Sequence, residues 1–259
     1  MTLQLVLPNE SRDLTTELLV RLVRDAEELG YGAAWLPDHV LPPQPYGDVF
    51  GGVYEPLVTL AHLAAVTSRI LLGTSVLILP LREPFLAAKQ FATLDRLSGQ
   101  RFVLGVGTGW NAAEFDEIGA DFASRGARTD EILQIVRQVT TTGRGPKGGY
   151  FEPRLPRPLP LLVGGHSTRA LRRAADVGSY WQSAELAPPD FAAAVARLRE
   201  LPGGDRVTTI ARMRWADADL QSAVRLVNQL RGAGADQVAV HCGPLDGYGD
   251  RMRLLAQHV

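Results

Sequence analysis

The sequence predicts a single (β/α)8 barrel that spans residues 1–259. Short apolar runs rich in β-branched residues alternate eight times with segments of helical periodicity. A length of 259 residues is typical of one such barrel. The alternative, a doubly wound open sheet, needs edge strands and a switch point. No division of the chain into two halves marks such a point, which favours the barrel.

The first half of the chain supplies four strands. They are LQLVL (3–7), AAWLPDH (33–39), RILLGTSVLIL (69–79) and the run that begins RFVLGVG at residue 101. The segments between them predict helices from Thr15 to Leu29, from Glu55-Pro56 onward, from Pro84 to Leu97, and from about Thr129 to Thr140. After the fourth strand, Asn111 and Glu114 stand three residues apart, as in a capping box.

The second half repeats the alternation. Its strands are LPLLVGG (159–165), SYWQSAE (179–185), RVTTIARMRW (206–215) and DQVAVHCG (236–243). Helices are predicted over residues 167–178, from Phe191 to Leu201, from Leu220 to Leu230, and in a short segment at the end of the chain. The long loop 41–54, with Tyr46, Phe50 and Tyr54, is expected to form a lid over the substrate, with a plain surface loop as the alternative.

Composition excludes several classes of protein. The chain is 46% apolar and 21% charged with a net charge of −1, so it offers no basic surface for nucleic acid. It has no apolar run long enough to span a bilayer and no evident signal peptide. Cys242 is the single cysteine, which rules out an intrachain disulfide and favours a cytoplasmic location.

In a (β/α)8 barrel the functional residues lie where strands end and loops begin. The residues at those positions are Asp38, His39, Thr74, Ser75, Val76, Gly107, Thr108, Gly109, Trp110, Asn111, Gly164, Gly165, His166, Ser167, Gln182, Glu185, Arg212, Arg214, His241 and Cys242. They include no close carboxylate pair typical of a glycosidase, no histidines at metal-ligand spacing, and no lysine for a Schiff base. We therefore expect a site without metal that holds a flat cofactor.

The glycines of the fourth strand do not form a dinucleotide-binding motif. Gly105, Gly107 and Gly109 give G-x-G-x-G, whereas that motif needs G-x-G-x-x-G and an acidic residue at the end of the next strand. The acidic residue at the right distance, Asp130, opens a helix instead. By contrast, Ser167 is placed to cap a helix whose first amides favour an anion.

Three stretches together resemble the luciferase-like monooxygenase superfamily, which contains flavin and deazaflavin barrels. They are GYGAAWLPDHV, RILLGTSVLILPLREPFLAAKQFATLDRLSGQRFVLGVGTGWNAAEF and PLLVGGHSTRALRRAADVGSYW, and they cover most of residues 29–181. Within that superfamily the chain most resembles oxidoreductases that use coenzyme F420. The resemblance implies a bacterial-luciferase-like barrel, a small organic substrate and a homodimer.

The resemblance also assigns roles to the residues at the strand ends. Asp38 and His39 match the catalytic pair that faces the reactive ring, with His39 as the proton-transfer group and Asp38 or a substrate group assisting it. Thr74, Ser75 and Val76 match the strand behind the ring, where a non-proline cis peptide would fall at Ser75–Val76. The other matches are cofactor contacts at Gly107, Thr108 and Gly109, and a phosphate-holding turn at Gly164, Gly165, His166 and Ser167. Trp110, which follows the glycines, is expected to form either a wall beside the cofactor ring or part of the core.

One departure from the family pattern leaves alternatives open. Trp110 stands where the sugar-phosphate dehydrogenases of this group carry a glutamate acid, and the basic residues that bind a sugar phosphate there find no clear match. The first alternative keeps the fold but uses FMN, as a monooxygenase that consumes reduced flavin and oxygen. The others are a non-catalytic flavin- or deazaflavin-binding protein and a phosphate-sugar enzyme without a redox cofactor.

Overall fold

The computed structural model describes residues 2–45, 54–215 and 219–259. Nine parallel strands form one closed sheet in this part of the chain. They are β1 (Leu3–Val6), β2 (Ala33–Leu36), β3 (Leu71–Thr74), β4 (Leu77–Ile78), β5 (Phe102–Gly107), β6 (Leu161–Gly164), β7 (Tyr180–Gln182), β8 (Thr208–Arg214) and β9 (Gln237–His241). Pairing of β1 with both β2 and β9 closes the sheet, because Leu5 lies in register with Ala34 on one side and Val240 on the other.

The nine strands fill eight positions around the barrel, which confirms the predicted (β/α)8 fold. The third strand, predicted to be continuous over 69–79, is interrupted after Thr74 and resumes at Leu77. Both pieces pair with β5: Leu72 lies opposite Phe102 and Leu77 opposite Val106.

Nine α-helices surround the barrel in the described ranges. They are α1 (Thr16–Glu28), α2 (Pro56–Val66), α3 (Pro84–Leu97), α4 (Ala112–Ile118), α5 (Arg125–Thr142), α6 (Thr168–Val177), α7 (Pro188–Arg199), α8 (Leu220–Gly232) and α9 (Tyr248–His258). Their bounds agree with the sequence prediction within a few residues, and α3 agrees at both ends. The start of α7 differs because Pro188 stands in its first turn, where a missing N–H costs nothing.

Two apolar cores hold the elements together. Inside the barrel, the inward-facing side chains of alternate strand positions form a small cluster that contains Val6, Ala33, Trp35, Val103, Leu162, Ile210 and Ala239. A larger cluster lies between the barrel and its helices. The filled lumen leaves only the ends of the barrel open to a ligand, as is usual for this fold.

The peptide between Ser75 and Val76 is cis, as the family resemblance implied. Glycines on the neighbouring strands make room for this interruption. A Cβ on Gly107 would overlap Val76, and one on Gly164 would lie 2.6 Å from Cγ1 of the same valine. A Cβ on Gly105 would overlap the Thr74 carbonyl oxygen, and the Thr74 hydroxyl donates to the Gly105 carbonyl at 2.6 Å.

Most of the loop predicted to be a lid, including Tyr46 and Phe50, lies outside the described residues. At its far end, the Tyr54 hydroxyl donates to the Leu14 carbonyl at 2.8 Å. The amide of Asn9, after β1, donates to the Tyr54 carbonyl at 3.0 Å. Tyr54 is thereby attached to the segment that links β1 to α1.

Candidate active site

His39 and Glu114 form a hydrogen-bonded contact at the carboxyl end of the barrel. His39 follows β2, and its Nδ1 lies 2.9 Å from Oε2 of Glu114. The other carboxylate oxygen accepts the N–H groups of Val40 at 2.7 Å and Leu41 at 3.2 Å. Burial raises the pKa of Glu114, but these contacts outweigh it and hold the pKa below its ordinary value. The carboxylate is therefore ionised and fixes both the imidazole and the loop behind it.

Glu114 is the main site residue that the sequence prediction missed. It lies in the first turn of α4 and is 1% exposed. Asn111 caps this helix as predicted, accepting the Ala113 N–H at 3.1 Å. The capping-box prediction for Glu114 was wrong, because its carboxylate reaches the chain after β2 instead of the helix start. The sequence alone does not distinguish a glutamate that caps its own helix from one that reaches the loop after β2.

Asp38 contacts a different set of residues from its neighbour His39. Its carboxylate lies 2.6 Å from Nη2 of Arg82 and accepts the Ile78 N–H at 2.8 Å. Arg82 also pairs with Glu55 at 2.8 Å. Burial raises the pKa of Asp38, with Arg82 opposing the shift. These contacts tie the end of β2 to β4 and favour a positioning role for Asp38 over a direct part in proton transfer.

A polar set lies around Ser75, between the two pieces of the third strand. The Ser75 hydroxyl donates to Oε1 of Gln182 at 2.5 Å, and Nη1 of Arg212 donates to the Ser75 carbonyl at 2.9 Å. Gln182 ends β7 and is 2% exposed, and its Nε2 is buried without a hydrogen-bond partner. Burial lowers the pKa of Arg212, since desolvation penalises a charged group.

The glycine-rich segment after β5 lies beside His39. Gly107 is buried against Val76, Thr108 is partly buried, and Gly109 has a φ of 78°, which favours glycine. Trp110 is 54% exposed, and its ring meets the His39 ring edge-on at 6.1 Å between centroids. An exposed indole beside the imidazole provides an apolar wall at the mouth of the barrel.

The turn after β6 leads into an open helix N-terminus. Gly164 ends the strand, and Gly165 after it has a φ of 102°. Its N–H already donates to the Gln182 carbonyl at 3.1 Å. Ser167 caps α6 by accepting the Ala170 N–H at 3.2 Å. Within the described residues no hydrogen bond uses the N–H groups of 166–169, which are therefore the donors available to an anion.

A second ionisable cluster lies on the wall formed by β1, β8 and β9. Nε2 of His241 lies 3.8 Å from Glu10, and Arg214 lies within 4 Å of both Glu10 and Glu185. Burial raises the pKa of Glu10, but the contact with His241 outweighs it and the pKa falls below the ordinary value. His241, Arg214 and Glu185 were recognised as strand-end residues, with His241 expected to line the pocket floor, and Glu10 was not predicted. Cys242 beside them is buried, which raises the pKa of its thiol to about 12.

These residues fit a flat, phosphate-bearing cofactor. The buried Nε2 of Gln182 is a donor in want of an acceptor, such as a ring carbonyl. The amides at the start of α6 suit a phosphate. Among the described residues, no group of three or more His, Cys, Asp or Glu side chains is arranged to hold a metal ion. In the same ranges no helix has the length and apolar character needed to cross a bilayer.

Comparison with known proteins agrees with this fold. The family model for luciferase-like monooxygenases matches residues 1–241. An uncharacterized protein of Mycobacterium tuberculosis is 35% identical over 212 residues, with 70% of each chain covered. The chain belongs to the luciferase-like monooxygenase family, whose members are oxidoreductases and monooxygenases.

Two relatives of named activity belong to different classes of oxidoreductase, a dehydrogenase and a monooxygenase. The F420-dependent glucose-6-phosphate dehydrogenase of Kineococcus radiotolerans is 36% identical over 166 residues, which are 58% of this chain and 48% of the relative. The pyrimidine monooxygenase RutA of Klebsiella pneumoniae is 31% identical over 205 residues, 72% of this chain and 56% of the relative. The matched regions thus span about half the length of these two relatives.

Solved structures share the fold over the whole chain. An F420-dependent secondary alcohol dehydrogenase, in complex with an F420-acetone adduct, superposes with a TM-score of 0.81 at 15% identity. The monooxygenase RslO1 from Streptomyces bottropensis superposes with a TM-score of 0.79 at 20% identity. Each match covers 100% of this chain and 98% of the other, and at these identities it supports the fold alone.

Proposed function

We propose that this protein is an oxidoreductase that transfers a hydride between coenzyme F420 and a small organic substrate. The observation that carries the proposal is the contact between His39 and Glu114 at the carboxyl end of the barrel. When bound, the deazaflavin supplies or accepts the hydride. A substrate oxygen that becomes or ceases to be an alcohol must gain or lose a proton, so the protein needs one proton-transfer group beside the ring.

His39 meets that need because Glu114 fixes its tautomer. Nδ1 faces an ionised carboxylate and therefore carries a hydrogen. Proton exchange with a substrate then falls to Nε2. The edge-on contact with Trp110 limits rotation of the ring. In this arrangement His39 is the catalytic residue, while Glu114 and Asp38 position it.

The remaining site residues bind and orient. The N–H groups at the start of α6 would hold the cofactor's phosphate, and Gly164 and Gly165 let the backbone approach it. The segment 107–110 would border the ring, and the strand interruption at 74–76 would support it from behind. The 36% identity to an F420-dependent dehydrogenase supports this cofactor. Its sugar-phosphate substrate is not carried over, since Trp110 occupies the place of that group's acid.

A second candidate keeps the site and changes the cofactor. The 31% identity to a pyrimidine monooxygenase over 72% of this chain favours a monooxygenase that uses reduced FMN and oxygen. The same phosphate turn and ring-supporting strand would serve FMN. The two candidates differ in whether molecular oxygen is consumed.

Binding and oxygen uptake separate these candidates. The purified protein is titrated with F420 and with FMN, and the fluorescence of each ring is followed. The proposal predicts tighter binding of F420 and a reduced complex that passes its hydride to organic carbonyl compounds without oxygen uptake. Exclusive binding of FMN, with oxygen consumed by the reduced complex, would establish the monooxygenase instead. Binding of either cofactor with no turnover would favour a non-catalytic carrier.

We further infer that the protein is a cytoplasmic homodimer. Two neighbouring helices, α2 and α3, expose Val58, Phe85 and Leu86, of which Val58 is 69% and Leu86 57% exposed. Exposed apolar side chains on neighbouring helices are typical of a subunit contact. Light scattering of the purified protein should give twice the chain mass of 28.1 kDa.

A further inference from the structure

Arg212 lies at the top of the barrel lumen, across the mouth from His39's strand. It stands two residues after Ile210 of the inner core on β8 and is partly buried. Its Nη1 reaches the third strand, where it donates to the carbonyl of Ser75 at 2.9 Å and lies 3.3 Å from the Ser75 hydroxyl. The positive charge of this guanidinium therefore lies next to the small apolar cluster that fills the inside of the barrel.

The charge of Arg212 has no ion-pair partner among the described residues. The nearby carboxylates serve other cations: Glu10 lies closer to Arg214 and His241, and Glu185 pairs with Arg214. Arginine stays protonated in proteins, and a desolvated charge is costly when carboxylates, here Glu10 and Glu185, act on it only from beyond ion-pair distance. A desolvated guanidinium without an ion-pair partner in the described part of the chain, at the mouth where a ligand binds, favours binding of an anion.

Gln182 presents a second unpaired donor beside the same serine. Its Oε1 accepts the Ser75 hydroxyl, which fixes the orientation of the amide. Its Nε2 is then the donor that is buried without a partner. Buried polar groups are rarely left unsatisfied, and such exceptions require an explanation. The two donors, one charged and one neutral, flank Ser75 from β8 and β7.

We propose that Arg212 and Gln182 form a subsite for a planar, delocalised anion. The guanidinium has several N–H groups in one plane, and the Ser75 contacts engage only Nη1. A planar guanidinium matches the two acceptors of a carboxylate or of an O–C–N ring edge better than a point charge would. Both acceptor atoms of such a group would find donors here, one on each side chain.

Two different molecules carry a planar anion of this kind. One is a carboxylate or enolate on the substrate. The other is the pyrimidine edge of the cofactor ring, which becomes anionic on reduction; this source alone rests on the proposed function. A substrate anion would make Arg212 a specificity residue, whereas a ring anion would make it a residue that favours the reduced cofactor.

The experiment uses two variants and one control in the full-length protein. Arg212→Gln removes the charge. Gln182→Glu keeps an acceptor for the Ser75 hydroxyl but replaces the unpaired donor and neutralises Arg212. Arg225→Gln, on the exposed face of α8, makes the same charge change outside the mouth. Circular dichroism first confirms that each variant is folded.

Two quantities are then measured by calorimetry. The first is the affinity for benzoate. The second is the ratio of the affinities for reduced and oxidised cofactor, with FMN or F420 as the probe. We expect Arg212→Gln and Gln182→Glu each to lower one of them by about 10- to 100-fold, the range for a hydrogen bond to a charged group. Loss of benzoate binding identifies a substrate anion, and loss of the preference for reduced cofactor identifies the ring. If both quantities match those of wild type and Arg225→Gln, the proposed subsite does not exist. The benzoate measurement needs no cofactor, so failure to bind F420 would overturn the proposed function and leave this result intact.

Discussion

The side chain of Val76 occupies the space that a side chain on Gly107 would need. A Cβ on Gly107 would overlap Cγ2 of Val76, and Gly164 on the next strand meets the same valine from the other side. The two glycines were predicted as cofactor contacts from family resemblance. Their first physical role is to let the third strand approach β5 and β6 closely at the mouth of the barrel.

Replacing Gly107 by alanine should lower the free energy of unfolding by about 1–3 kcal/mol, the usual range for overpacking a core. Adding Val76→Ala in the same protein should recover part of that loss, because the smaller side chain vacates the space. Gly126→Ala is the matched control, since nothing lies within 4 Å of a Cβ there. Urea denaturation of wild type, the two single variants and the double variant measures the coupling. Purely additive effects of Gly107→Ala and Val76→Ala would show that the two residues do not compete for space.

Removing the Glu114 carboxylate should destabilise the protein strongly. Glu114→Ala leaves His39 and the N–H groups of Val40 and Leu41 without their acceptor, so we expect a loss of about 3–5 kcal/mol. Glu114→Gln keeps one acceptor oxygen and should lose less. Glu117→Gln, in the same helix, is the control for the change of charge. Denaturation midpoints for the three variants within error of wild type would show that the carboxylate does not hold the loop after β2.

Acid should remove the contact between Glu27 and the chain before β3, which lies at the other end of the barrel from His39. The carboxylate of Glu27 accepts the N–H groups of Ser68, Arg69 and Ile70 at 2.6–2.9 Å. Burial raises the pKa of Glu27, but these donors outweigh it and lower the pKa from 4.5 to about 2. The stabilisation is therefore complete above pH 4.5 and disappears as the pH falls towards 2.

Glu27→Gln should accordingly cost about 1–2 kcal/mol at pH 7, a value reduced for the partial exposure of the site. The difference from wild type should shrink between pH 4.5 and pH 2. The neighbouring Glu28→Gln carries the same charge change and should show a smaller, pH-independent effect. Thermal unfolding across this range provides the measurement. A constant difference between the Glu27 variant and wild type at every pH would contradict the depressed pKa.

The phosphate site is tested by removing one N–H group. Thr168 is the first residue of α6, and Ser167 before it is extended, so proline is compatible with the helix there. Thr168→Pro should weaken binding of FMN by about tenfold and leave binding of riboflavin, which lacks the phosphate, unchanged. Thr16→Pro, at the first position of α1, is the matched control. Equal effects of Thr168→Pro on FMN and riboflavin would move the phosphate elsewhere.

Local patterns in the sequence predicted the fold and the residues at the strand ends. Alternating periodicities and the cap residues Asn111 and Ser167 report on the chain within a few positions, and these predictions were confirmed. The cis peptide within the third strand was implied by the family resemblance, whereas the local pattern of RILLGTSVLIL predicted one continuous strand. The contacts that define the site join residues far apart in sequence: Glu114 with His39, Arg212 with Ser75, and Glu10 with His241. A charged residue in a helix turn or strand end gives no local signal of which distant group it meets.

The measurement that tests the central claim most directly compares turnover and cofactor affinity in His39→Ala. A general acid or base contributes about 10²–10⁴ to the rate, so F420-dependent turnover should fall by that factor on a substrate found by screening carbonyl compounds. The dissociation constant for F420 should stay within about threefold, because phosphate and ring are proposed to be held by α6 and the third strand. His62→Ala, on α2, serves as the control. Turnover within a few-fold of wild type, with F420 affinity lost, would show that His39 orients the ring and transfers no proton.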